Sequence, residues 1–158
     1  MPDDNISRNL RLPDAVISPA GPHAYYEKSW ALVIGINDYE GMRLGNARND
    51  AEAVAALLKE KYGFDEVISL LDKDASRENI LRYLREDLGD RVGDEDRLII
   101  FFAGHGYSEK GKNGRTGYIV PQDARKDTVV DLIKMNDLRD ACDSIPAKQH
   151  VIILYCCL

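Results

Sequence analysis

Three runs in this chain are apolar at nearly every position: WALVIGI from Trp30, RLIIFFA from Arg97 and HVIILY from His150. Continuous runs of that length mark central strands covered on both faces, since a half-exposed strand would alternate. EVISLLD, from Glu66 to Asp72, is a shorter fourth strand. Between the strands the period lengthens to that of a helix. Ala51, Val54, Leu57 and Leu58 share one helical face behind Asn49-Asp50-Ala51-Glu52, which resembles a capping box, and Gly63 stops that helix near Tyr62. Ser76 caps a second helix with Ile80, Leu81, Leu84 and Leu88 on one face, broken by Gly89 and Gly93. Asn136 caps a third, with Leu138, Ala141, Cys142 and Ile145 inward and Pro146 after it.

Strands alternating with helices of this length predict an α/β fold, a mostly parallel central sheet joined by right-handed crossovers. The segment GYSEKGKNGRTGYIVPQDA breaks the alternation, and its glycines around Asn113-Gly114 predict a surface β-hairpin. Residues 1–28 carry Pro2, Pro13, Pro19 and Pro22 without a sustained period, so they read as a flexible leader or linker ahead of one domain at 29–158.

Composition narrows the function more than the fold. A chain of 158 residues is long enough for one core without disulfide or metal staples. No apolar run approaches the roughly 20 residues of a bilayer span, which argues against a membrane. A net charge of −6 with no Lys/Arg cluster argues against direct nucleic-acid contact and leaves a protein or peptide partner. Three cysteines, two of them adjacent, do not form the even framework of a secreted scaffold, and no signal pattern opens the chain, so a reducing, cytoplasmic setting is expected.

Two apolar runs end on reactive side chains, His105 in FFAGHGY and the pair Cys156-Cys157. In open α/β sheets reactive groups collect outside the carboxyl ends of the strands, so neighbouring strands would bring an imidazole and a thiol together. That is the arrangement of a cysteine nucleophile with a histidine base. The glycines flanking His105 allow close backbone approach to a substrate. Cys142 lies on an inward helical face and reads as structural; His23 and His150 have no evident partner. Zinc is disfavoured, because paired C-x₂-C spacings are absent and adjacent cysteines in a strand point to opposite faces. The acidic groups Asp94, Glu95, Asp96 and Asp72, Asp74 could attract calcium, although charged loops are usually only solvated. A nucleotide binder would rest on architecture alone, since neither G-x-G-x-x-G nor a P-loop is present.

Taken in order, WALVIGINDYE, LGNARNDAE, FFAGHGY, GYIVPQDA and IILYCC resemble the landmarks of the caspase-like cysteine peptidases, in particular the bacterial metacaspase-type and CHAT-type branches. The resemblance implies a three-layer αβα sandwich, with His105 as catalytic base, Cys157 as nucleophile, and the N–H groups of Gly106 and Cys157 as oxyanion hole. Tyr155 stands where relatives place an aspartate that receives a basic P1 side chain, and Arg43 resembles an arginine that holds an acidic one. The resemblance also implies that 29–158 is the large-subunit domain, lacking the small-subunit region of the same precursor. A protein or peptide substrate and a regulatory or sensor module are the other implied partners. No cofactor is required, calcium entering only by analogy with metacaspases. A catalytically silent interaction module on the same fold is the competing expectation.

Overall fold

A computed structural model describes residues 25–112 and 114–156; residues 1–24 of the leader expected at 1–28, Asn113 of the Asn-Gly turn, and Cys157 lie outside the described residues. The run from Trp30 forms β1 (Ser29–Gly35), every residue of which is buried, as a strand apolar on both faces requires. It is followed by α1 (Ala47–Ala56), a π-helical turn at Leu57–Lys61, and β2 (Glu66–Leu71). Next come α2 (Arg77–Arg82), a second π turn at Tyr83–Asp87, α3 (Leu88–Arg91) and β3 (Arg97–Ala103). The expected hairpin is β4 (Gly106–Gly111) with β5 (Gly114–Ile119), and β6 (Ile133–Lys134), α4 (Met135–Asp143) and β7 (Gln149–Tyr155) complete the order. The main sheet is parallel throughout, in the order β2-β1-β3-β7.

Helices cover both faces, giving the three layers. Trp30, Leu32, Ile34, Leu98, Ile100 and Phe102 point to one side, where they meet Ile80, Leu84 and Leu88 of the second helical stretch and Leu138 and Cys142 of α4. Ala31, Val33, Phe101 and Ala103 point to the other, under Ala47, Ala51 and Leu58. Helix α1 seats closely because β1 ends in Gly35: a Cβ there would fall 2.4 Å from that of Ala51.

Three element boundaries differ from the sequence expectation. Helix α1 starts at Ala47, ahead of the capping-box motif, because Asn37 of the β1–α1 loop reaches across and its Oδ1 accepts the Arg48 N–H at 3.0 Å. Helix α4 starts at Met135 with no side-chain cap, so Asn136 lies inside it. The helical stretch after Ser76 continues through Gly89 to Arg91; Ser76 does cap it, its Oγ accepting the Asn79 N–H at 3.2 Å. Strand β6 has no counterpart in the expected pattern: two residues pair with β5 and extend the hairpin to a three-stranded sheet.

Residues at the start of the domain are tied down. Asp96 is buried and accepts N–H groups from Trp30 Nε1 (2.9 Å), Lys28 (2.8 Å) and Gly93 (2.9 Å). It therefore serves as a polar hub of the core, while Glu95 of the same acidic run pairs with Lys148. Tyr26 bonds Gln149 at the head of β7. Along β7 and at the residue after it, Ile152, Leu154 and Cys156 pack on the larger core, whereas Val151, Ile153 and Tyr155 are 42%, 43% and 65% exposed. Its outer edge pairs with no strand among the described residues. No helix among the described residues is long and apolar enough to cross a membrane.

Candidate functional site

The parallel register brings the carboxyl ends of all four strands level: Gly35 pairs with Leu71 on one side and Ala103 on the other, and Ala103 with Tyr155. The chain passes from β1 outward to β2, then back across β1 to β3. Loops after β1 and β3 consequently diverge between those strands, at the switch point where α/β sheets bind their ligands. His105 lies there, two residues beyond the end of β3.

Two contacts from the β1–α1 loop hold His105. Its Nε2 lies 2.7 Å from the Met42 carbonyl. A carbonyl only accepts, so Nε2 carries the hydrogen and in the neutral ring Nδ1 keeps the lone pair. The second contact is Tyr39, whose ring stands 4.7 Å from the imidazole at 54°. Its hydroxyl accepts the His105 N–H at 3.0 Å and donates to the Val120 carbonyl at 3.0 Å. Where the β4–β5 ladder begins, the Val120 N–H donates to the His105 carbonyl at 3.0 Å; the reciprocal bond of that pair is replaced by the inserted hydroxyl. Burial is the main cause that pushes the Tyr39 phenol above its ordinary range, with the His105 N–H opposing, so the group stays a neutral hydroxyl able to donate and accept at once.

Gly104 makes this insertion possible. A Cβ there would sit 2.5 Å from the Tyr39 hydroxyl and 2.8 Å from Phe102 Cζ. The first glycine of Gly-His-Gly thus makes room for a tyrosine rather than for a substrate. The second, Gly106, pairs with Ile119, one step along from the hydrogen-bonded His105–Val120 pair. Alternation along an antiparallel ladder then turns the Gly106 N–H away from β5.

A cleft of about 640 Å³ opens beside the histidine, lined among others by Met42, His105, Tyr107, Glu109, Lys126 and Val129. Its walls are mixed: an imidazole, apolar surface and charges of both signs. Of the residues singled out from the sequence, His105 and Gly106 line it, but Arg43 and Tyr155 do not. Arg43 is exposed in the loop, and Tyr155 is exposed on the open face of β7 beside Ala103. Cys156, next in the chain, packs against the larger core that contains Tyr39. Cys157 lies outside the described residues. Cys142 is fully buried, and that burial, reinforced by the neighbouring Asp143 charge, pushes its thiol up to about 12.

Asp72, expected as a solvated or cation-attracting acid, is otherwise engaged. It follows β2 directly with φ +46°, and its Oδ1 accepts the N–H groups of Asn37 (2.8 Å) and Asp38 (3.0 Å). Arg48 Nη1 donates to Oδ2 at 3.0 Å. Burial favours protonation of this carboxyl, but the Asn37 N–H, Arg48 and the Asp38 N–H outweigh it and hold the pKa below the ordinary carboxylate value. Among the described residues no three His, Cys, Asp or Glu side chains converge as metal ligands. The sequence offered one signal for Tyr39, a lone aromatic inside a loop of Asn, Asp and Gly; Met42 acts through its carbonyl and left none.

The sequence profile of the caspase domain matches residues 28–158. Metacaspase-6 of Arabidopsis thaliana is 34% identical, over 78% of this chain and 36% of its own length. Metacaspase-4 of the same plant is 35% identical, over 78% of this chain and 31% of its own length. The chain thus spans about a third of these curated relatives. A crystal structure of protein GSU0716 from Geobacter sulfurreducens superposes with a TM-score of 0.67 at 20% identity, over 82% of this chain and 50% of that one, a likeness of fold.

Proposed function

The chain belongs to the caspase-domain family of cysteine peptidases, and from that premise we propose that it is the large-subunit region of an endopeptidase that cleaves proteins through Cys157 and His105. The observation that carries this is the state of His105: the Met42 carbonyl fixes Nε2–H, leaving Nδ1 as the base at the switch point of the sheet. Cys156 is half-buried and packs against the core, and Cys157 occupies the position that the family resemblance gives to the nucleophile.

In this mechanism Nδ1 takes the Cys157 proton and the thiolate attacks the scissile carbonyl carbon, forming a C–S bond. The oxyanion is held by N–H groups, for which Gly106, turned away from β5, is the candidate together with Cys157. Collapse breaks the C–N bond as His105 returns the proton to the leaving amine. Water, deprotonated by the same imidazole, then hydrolyses the thioester. The cleft beside His105 accommodates peptide on the imidazole side. The chemistry needs no cofactor. The exposed face of Val151, Ile153 and Tyr155 and the edge of β7 are the proposed seat of the small-subunit region.

Labelling of the full chain by a thiol-reactive peptide electrophile tests this. Modification should fall on Cys157, located by fragmentation of the C-terminal peptide, and should slow sharply in His105→Ala. Equal labelling in the native chain and in His105→Ala would falsify the dyad and favour a catalytically silent interaction module.

A further inference from the structure

The geometry points to Asp72 as the positioning residue for His105: its carboxylate pins the start of the β1–α1 loop, and that loop supplies the contacts to both the backbone and the ring of the histidine. The inference rests on His105 being the working base.

The connections can be followed atom by atom. Asp72 lies beyond β2, two strands away from β3, and its hydrogen bonds go to the β1–α1 loop and to Arg48 rather than to the imidazole. Its Oδ1 gathers the adjacent N–H groups of Asn37 and Asp38, the first residues to leave β1 after Ile36. The Asn37 carbonyl in turn accepts N–H groups from Tyr39 (3.1 Å) and Leu44 (2.9 Å), so the loop closes on that one residue. Within the closed loop, the Met42 N–H donates to the Tyr39 carbonyl at 3.4 Å, linking the two residues that hold the histidine. Tyr39 meets its N–H and Met42 its Nε2. On the far side, Arg48 ties Asp72 Oδ2 to α1, whose first turn is capped by the Asn37 side chain. A carboxylate is suited to this place because one oxygen can take two backbone N–H groups while the other takes a guanidinium. A backbone at φ +46° is rare for a residue with a side chain, tolerated best by Asn and Asp after Gly.

The test separates the acceptor from the charge and from the backbone conformation. Asp72→Gly removes both oxygens but relieves the positive φ; Asp72→Asn keeps an Oδ1 acceptor for the two N–H groups and loses only the tie to Arg48. Long-range ¹H–¹⁵N correlation of His105 in the full chain reports the tautomer. The native chain and Asp72→Asn should show a single Nε2–H form above the imidazole titration, whereas Asp72→Gly should show averaged ring shifts. The His105-dependent labelling of Cys157 should fall about 10- to 100-fold in Asp72→Gly, the scale of a small misplacement of a catalytic group, and recover in Asp72→Asn. A single Nε2–H tautomer persisting in folded Asp72→Gly overturns the inference, as does an Asp72→Asn chain as averaged as Asp72→Gly. Should Asp72→Gly not fold, Asp72→Ser, whose hydroxyl is too short to serve both N–H groups, carries the same comparison. If the native chain shows no His105-dependent labelling, the peptidase proposal fails while the tautomer still decides the positioning role.

Discussion

Replacing Tyr39 by Phe is the sharpest perturbation the site offers, since it deletes one oxygen and leaves the ring. The hydroxyl is the sole bridge between the His105 N–H and the Val120 carbonyl, each 3.0 Å away, and the residue is only 5% exposed. A buried carbonyl and a half-buried N–H lose their partner, each at a cost of about 1–3 kcal/mol, partly offset because a hydroxyl no longer has to be desolvated. A net loss of about 2–3 kcal/mol follows. For a domain of this size each kcal/mol moves Tm by about 2–4 °C, so thermal unfolding should shift down by roughly 4–12 °C. Gly104→Ala provides the cross-check, its new Cβ falling 2.5 Å from the same oxygen. Because Tyr39→Phe removes that oxygen, the two substitutions should be less than additive in a double-mutant cycle monitored by calorimetry. A Tyr39→Phe chain melting within a degree of the native one, or strict additivity with Gly104→Ala, would refute the inserted-hydroxyl account.

Other expectations follow from single interactions. Ser76→Ala removes the one helix cap that, among the described residues, is made by a side chain at its own N-cap position, and should cost about 1 kcal/mol in urea unfolding, with the m-value unchanged. Asp72 has a folded pKa below its unfolded one, so its contribution is complete above the ordinary carboxylate value of about 4 and is lost as pH falls through the lower folded value. The stability gap between the native chain and Asp72→Asn should therefore stay level from about pH 5 to 8 and narrow as pH falls below the ordinary carboxylate value; a gap that widens on acidification contradicts it. Cys142, buried and with its thiol pushed up to about 12, should resist maleimide at pH 8 in the native chain and react once denatured, as counted by intact mass.

Hydrophobic period was enough to locate the scaffold. The strands at Trp30 and Arg97 are apolar on both faces because each is sandwiched between helical layers, and burial of that kind leaves its mark on nearly every residue of the strand, whereas the run from His150 forms the edge strand β7, which buries one face and exposes Val151, Ile153 and Tyr155 on the other. The inward face of the second helical stretch was legible for the same reason, Ile80, Leu84 and Leu88 being fully buried, but Leu57, expected on the inward face of the first helix, lies in the π turn and is 45% exposed. Helix starts were not. The Asn49 and Asn136 motifs are local, whereas the actual cap of α1 comes from Asn37, eleven positions before the N–H it accepts. A local propensity of a few tenths to one kcal/mol yields to a partner delivered by tertiary structure. Strand β6 escaped notice because two residues are too few to display a period.

The functional site divides along the same line. His105 stood out because a reactive side chain at the end of a buried strand has an uncommon local context. Tyr39 and Asp72 act across 66 and 35 positions of sequence, and apart from the Arg48 guanidinium on Asp72 their hydrogen-bond partners are backbone groups, which carry no side-chain signature. Gly-His-Gly carried more than it disclosed, since its first glycine is required by a tyrosine in another loop rather than by a ligand. The pairing has a consequence for any relative whose loop lacks that tyrosine: the ladder bond between the residues at 105 and 120 can close directly, and a Cβ at 104 loses the tighter of its two clashes, leaving the one with Phe102 Cζ at 2.8 Å. Gly104 and Tyr39 are therefore one feature read at two places in the chain, and exchanging either alone should disturb the base more than exchanging both.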